Sequence, residues 1–263
     1  MTRRPQRFTL RHLAAAAVFA AVPVAAPTVL RAQSPAEHVA LGDRDRDANP
    51  ASALAHYEAA LKADPTNYDA LSRGAYAAVE AGKLQGDRGR QQQLYSTGES
   101  MARRAVQVRP ADAEGHFALA AAIGRRAQTM GSRDRVKFAG DVYNHASEAV
   151  RINPRHAGAL HVMGMWNAEV MRLSGVSRFM AKNVLGGKTF DRASWNDAQS
   201  YLERAVAVEP NRLTHRVDLA AVYLDRGNKA RAKEMLDFVA AAPSREAGDA
   251  QFKREAEALR ARL

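Results

Sequence analysis

Four times in this chain an alanine stands five positions before a proline, at the end of an apolar-periodic stretch. The pairs are Ala60 and Pro65, Ala105 and Pro110, Ala149 and Pro154, and Ala205 and Pro210. A fifth, looser ending is Val239-Ala-Ala-Ala-Pro243. Proline cannot continue a helix, and a small residue lets two helix axes approach closely, so this punctuation dictates a succession of helical hairpins. The composition agrees, being 46% hydrophobic yet only 6% aromatic, with alanine dominant. That mixture favours packed helices and offers β-strands little. With no cysteine, disulfides, thiolate metal sites and a cysteine nucleophile are excluded.

The pattern resembles the tetratricopeptide repeat, which places a small residue deep in its second helix and a proline at the close of the unit. First helices match too. Leu219 to Leu236 follows nearly a whole unit, with Gly227 at the inter-helix turn; Met163-Gly164 occupies the Leu-Gly step, and Leu119-Ala120 is its near equivalent. Tyr57, Tyr95 and Trp195 fall where second helices carry a large ring, and are expected in the core. Ala60, Ala105, Ala149 and Ala205 are expected buried at helix contacts. The expected fold is all-α, a tetratricopeptide-like solenoid of helical hairpins with about five irregular repeats at 36–67, 68–112, 113–156, 157–212 and 213–245. Residues 246–263 form a capping helix, with Ala250, Phe252, Ala256 and Leu259 available for one face.

The closing prolines are 45, 44, 56 and 33 residues apart, so the middle units carry insertions. Ala81 to Arg90 and Arg125 to Arg135 are charged and glycine-containing, and read as loops or helix extensions. The insertion in the fourth unit, Leu173 to Phe190, is apolar. Three readings of it stand open: an extra helix covering the core, a lid over the concave groove, or a membrane-surface contact.

Two sections are similar to one family. Asn153-Pro-Arg-His-Ala-Gly-Ala-Leu-His161-Val-Met-Gly164, with Arg178-Phe-Met-Ala-Lys182-Asn-Val-Leu-Gly186-Gly187, resembles the regulator of microtubule dynamics proteins and their bacterial relatives. So does the ending Pro243 to Glu255. The resemblance covers about Tyr68 to the C-terminus. It implies an all-helical repeat domain with adaptor roles and no known catalytic residues. One eukaryotic branch is associated with microtubules, another with membrane contact sites and phospholipid binding.

Residues 1–32 have a chemistry of their own. Arg3, Arg4, Arg7 and Arg11 precede an uncharged run from Leu13 to Leu30, and no acid occurs before Glu37. A basic front, an Ala/Val core and small residues before a polar segment describe an export signal with cleavage after Ala32. Pro23 and Pro27 argue against a spanning helix. Arg3-Arg4 leaves Sec or twin-arginine export open, and a mitochondrial presequence is the rival if the source is eukaryotic. The expected location is periplasmic or secreted, where tubulin would not be met. The segment's five arginines take the formal charge from +11 to +6. The remainder is mildly basic without an aromatic-basic platform, so nucleic acid is not an expected partner.

No catalytic constellation emerges. His116, His145, His156, His161 and His215 form no metal-ligand spacing, no Gly-x-Ser-x-Gly elbow exists, and Gly186-Gly187 lacks the context of a phosphate loop. Ser194 to Asp197 reads as a capping-box variant at a helix start. The chain is therefore read as a noncatalytic scaffold or adaptor, with no cofactor and no metal. Its concave groove would take a protein or peptide; the alternative is a phospholipid or other amphiphile, which needs a continuous apolar cavity with cations at its mouth. Repeat register points Tyr76, Phe117, His161, Met165 and Val217 at the groove, with Arg178, Phe179 and Lys182 contributed by the insertion.

Overall fold

The computed structural model describes residues 1–2, 33–174 and 188–263. The chain divides into two units, Met1–Ala32 and Gln33–Leu263, and all that follows concerns the second. Among the described residues there is no strand, and eleven α-helices build the fold. Their pairs are α1 (Pro35–Asp45) with α2 (Pro50–Ala63), α3 (Tyr68–Lys83) with α4 (Arg88–Val108), and α5 (Ala113–Gln128) with α6 (Ser132–Ile152). Then come α7 (Ala157–Arg172) with α8 (Trp195–Val208), α9 (Leu213–Asp225) with α10 (Lys229–Ala241), and the terminal α11 (Asp249–Arg260). The chain is a tetratricopeptide-type solenoid closed at its C-terminus by a single helix.

The alanine–proline motif has a backbone explanation. The residue before each proline is pushed out of the helical region and caps the helix. Asp64, Arg109, Asn153 and Glu209 each donate their N–H to the carbonyl of the motif alanine, at 2.9 Å in all four cases. Their own carbonyls then accept from the residue two beyond the proline: Asn67 at 3.1 Å, Asp112 at 3.3 Å, His156 at 3.0 Å and Arg212 at 3.2 Å. That residue is the N-cap of the next helix. One eight-residue phrase, from alanine to N-cap, thus ends a helix, makes a turn and starts another. The four alanines are fully buried, as the small-residue argument requires.

Second-helix rings sit over glycines. A Cβ on Gly42 would lie 2.6 Å from the Tyr57 ring, and one on Gly82 would lie 2.5 Å from Tyr95. Both tyrosines are core, whereas Trp195 is only half-buried. Gly164 brings α7 against α8, since a Cβ there would meet Leu202 at 2.6 Å. The α9–α10 turn uses the left-handed region at Gly227, φ 75°, where a side chain would be strained. Ser194 caps α8 as read from sequence, accepting from the Asp197 N–H at 3.0 Å.

In the middle units the extra length is taken up mainly by their second helices. Both α4 and α6 run 21 residues against 16 for α3 and α5, leaving only short turns between partners. The apolar insertion falls largely on 175–187, outside the described residues. Its end is described: Phe190, in a 3-10 turn over Lys188–Arg192, is buried with its ring 6.1 Å from that of Trp166. Two large apolar clusters divide the core, and α7 is their shared wall, giving Trp166 and Val170 to one and Ala168 to the other. On α11, Phe252 and Ala256 are buried and Leu259 half-buried, but Ala250 is exposed. A step of two places it away from the face shared by 252, 256 and 259.

Candidate functional site

First helices present one face to the inside of the curve, and helical spacing decides which side chains meet there. On α3, Tyr76, Glu80 and Lys83 follow an i, i+4, i+7 row. On α9, Arg212 at the N-cap, His215 and Asp218 follow at intervals of three. The rings pair along this face: Tyr76 with Phe117 at 5.1 Å between centroids, Phe117 with His156 at 4.7 Å, and His161 with His215 at 4.8 Å. His156 caps α7 by accepting the Ala159 N–H at Nδ1, so its Nε2 carries the proton it donates to Glu114, 3.0 Å away.

Charged groups complete the network. Arg212 donates to the Tyr76 hydroxyl at 2.9 Å and pairs with Glu246 at 3.3 Å and Glu209 at 3.4 Å. Lys83 pairs with Glu80 at 2.9 Å, and His161 meets Asp218 at 2.7 Å. Burial, with Glu80 beside it, raises the Tyr76 phenol well above its ordinary range. The hydrogen bond from His215, aided by Arg212, brings Glu209 down to about 2. His215 is only 2% exposed, and burial lowers it to about 4, so the ring is neutral and its Nδ1 has no protein partner. Burial works against ionising Asp218, but its hydrogen bond from His161 and the nearby Arg125 guanidinium outweigh that and keep it below the usual carboxylate range.

The face is polar and largely filled by its own side chains. Where α3 meets the α10–α11 turn, a cavity of about 20 Å³ remains, lined among others by Tyr76, Lys83, Arg212 and Glu246. That is room for about one water molecule. A wider opening of about 560 Å³ lies beside it, lined by Asp43 and Arg46 at the end of α1, Asp69 and Arg73 on α3, and Arg109, Asp112 and Glu114 around the α4–α5 turn. Arg73 is paired with Asp43 and Asp69. Arg109 lies over the Tyr68 ring at 4.5 Å. Among the described residues no cluster of three or more His, Asp or Glu side chains could hold a metal ion, and no helix is long and apolar enough to cross a membrane.

Residues 36–263 match the sequence model of the family described as "Regulator of microtubule dynamics protein 1-3". The chain belongs to that family. It is 27% identical over 159 residues to the bovine regulator of microtubule dynamics protein 1, a span covering 60% of this chain and 50% of the relative. The human counterpart is 25% identical over a span of the same size. The chain therefore matches about half the length of these curated relatives. In fold it is similar to a thermophilic TPR protein of Thermus thermophilus, with a TM-score of 0.59 and 21% identity, covering 86% of this chain and 99% of that one.

Of the residues that register assigned to the groove, this family member brings Tyr76, Phe117 and His161 onto the network. Met165 is half-buried against the C-terminal cluster. Val217 is 3% exposed within that cluster, and its neighbour Asp218 is the one that reaches His161. Arg178, Phe179 and Lys182 lie outside the described residues. The sequence reading missed Arg212, Glu80, Lys83, Asp218 and Glu246. One of them had left a signal. The position two after the motif proline is Asn67, Asp112 and His156 in three units, each capping its helix through the side chain. In the fourth it is Arg212, which makes no cap bond. An arginine where a short acceptor belongs is a local rule broken, and here the guanidinium is diverted across the concave face.

Proposed function

We propose that the chain is a noncatalytic protein-interaction scaffold, and that a polypeptide segment seats in the opening between the end of α1, the start of α3 and the α4–α5 turn. The observation that supports this most is the opening itself. It is about 560 Å³, carries both signs of charge on three successive hairpins, and belongs to a fold built of stacked binding units. Arg46, Arg73 and Arg109 would take carboxylates of the partner, and Asp69, Asp112 and Glu114 its cations. The described part of the groove is polar and closely filled, which speaks against an amphiphile there, since a lipid chain needs continuous apolar wall. What the relatives' names say of microtubules is said of those proteins. The test is affinity of the natural partner for Arg73→Ala with Arg109→Ala. Loss of binding in a protein that melts normally supports the cleft, and unchanged binding removes it.

We also infer that residues 1–32 are an export address and that the working chain begins near Gln33. The Arg-rich front and the uncharged Leu13 to Leu30 run support this. The bovine and human relatives favour the second reading, a mitochondrial presequence. N-terminal sequencing of protein from fractionated host cells separates the two. An intact Met1 terminus would overturn both.

A further inference from the structure

The two ends of the solenoid touch. The N–H of Ala247, in the α10–α11 turn, donates to the carbonyl of Asp47, in the α1–α2 turn, at 2.9 Å. Beside this bond Arg212, paired with Glu246 on the C-terminal side, donates to Tyr76 of the second hairpin. Lys83 of α3 lies 5.4 Å from the centre of the Phe252 ring on α11. The turn that makes these contacts is built in advance. Asp249, only 3% exposed, accepts the N–H groups of Arg245 at 2.7 Å and Glu246 at 2.9 Å, which fixes the direction in which Glu246 and Ala247 project.

The chemistry of this seam differs from that inside each hairpin. Hairpins are joined by buried alanine, leucine and aromatic side chains. Across the seam run one backbone hydrogen bond, the Arg212 bond to the Tyr76 phenol and a cation over a ring, around a cavity of about 20 Å³ that Pro50 and Leu84 also line. Arg212 and Glu246 pair with each other on the C-terminal side. Glu80, Lys83, Arg212 and Glu246 are partly stripped of water in the closed form and would regain it on opening, so Coulomb gain and desolvation nearly cancel. A small polar contact between two well-packed bodies is where relative motion is expected. Phe252 and Ala256 hold α11 on the C-terminal cluster, so breaking the seam separates the ends of the solenoid without unfolding that helix.

We propose that the turn Arg245–Gly248, with Arg212, is a latch that closes the solenoid over its own concave face, and that access to the Tyr76–His161 network requires its release. This goes beyond the partner cleft, which lies open in the closed form, so the latch can fail while the cleft stands.

The chain has no cysteine, so spin labels can be placed cleanly at Ala51→Cys on α2 and Glu255→Cys on α11, both exposed. Pulsed electron resonance on the labelled full chain should give one narrow distance distribution. Adding Arg212→Gln with Glu246→Gln should create a second population at longer distance. The same single distribution in that variant, folded by circular dichroism, would overturn the latch. Should the variant fail to fold, Asp47→Cys with Ala247→Cys gives a second route. Oxidising that pair should slow deuterium exchange at the His215 ring carbon by roughly tenfold relative to the reduced form, because the opening that exposes it is blocked. Equal rates in the two forms would equally dispose of the proposal.

Discussion

Tyr76 and Arg212 stand 136 positions apart in the sequence, yet the guanidinium donates to the phenol oxygen at 2.9 Å. This contact ties the second hairpin to the fifth across the concave face, and much of the behaviour expected of the chain follows from it. Tyr76→Phe keeps the ring and removes only the oxygen. The lost bond is to a charged group, so the change should cost about 1.5–3 kcal/mol in urea unfolding. A cost near zero would mean that the contact does not persist in solution.

Glycines separate by what surrounds them. Gly164→Ala puts a Cβ 2.6 Å from Leu202 and 3.1 Å from the Ala198 carbonyl oxygen, and should destabilise by about 1–3 kcal/mol through overpacking. Gly140, inside α6, has nothing within 4 Å of its would-be Cβ, so Gly140→Ala should stabilise by about 0.5–1 kcal/mol. Melting curves that move both variants the same way would show the α7–α8 contact to be wrong. Ala205→Leu belongs with Gly164→Ala, at about 1–3 kcal/mol lost.

Acid should weaken the fold in two overlapping steps. His215 falls from 6.5 to about 4 on folding, so below pH 6.5 the unfolded chain binds a proton that the folded chain refuses. Stability is full above that value and declines down to about pH 4, by at most about 1.4 kcal/mol per pH unit. Glu209, which falls from 4.5 to about 2, holds its contribution above pH 4.5 and loses it toward pH 2. Both act in the same direction. His215→Phe should flatten the decline between pH 6.5 and 4 and, by removing the bond that holds Glu209 low, shrink the lower part as well. Urea midpoints at pH 7, 5.5 and 4.5 for both proteins would show it, and parallel curves would contradict it.

The terminal helix should behave as a cover. Phe252 is buried over the C-terminal cluster, so Phe252→Ala should cost about 3–5 kcal/mol and expose apolar surface that binds a hydrophobic dye. A small change in melting temperature would mean that α11 is ornamental.

Most of the scaffold was legible because its signals are local. The alanine five before a proline is a cap, a turn and a helix start within a few residues, and each of the four instances makes the same hydrogen bonds. Register pointed to Tyr76, Phe117 and His161, which join the ring and charge network, and to Val217, which lies in the C-terminal cluster while its neighbour Asp218 reaches His161, since adjacent residues on a helix differ by about 100°. The closure was not legible. Asp47 and Ala247 meet only because curvature accumulates over every hairpin between them, a property no short stretch encodes. Arg212 at a capping position was the lone trace of it.

The most direct test of the scaffold reading is native mass spectrometry of the full chain purified from its own host, set beside its Arg73→Ala, Arg109→Ala variant. A bound polypeptide on the unaltered chain, absent from a variant that melts normally, is the predicted result. Co-purifying phospholipid in place of polypeptide, or a polypeptide retained equally by both proteins, would contradict it.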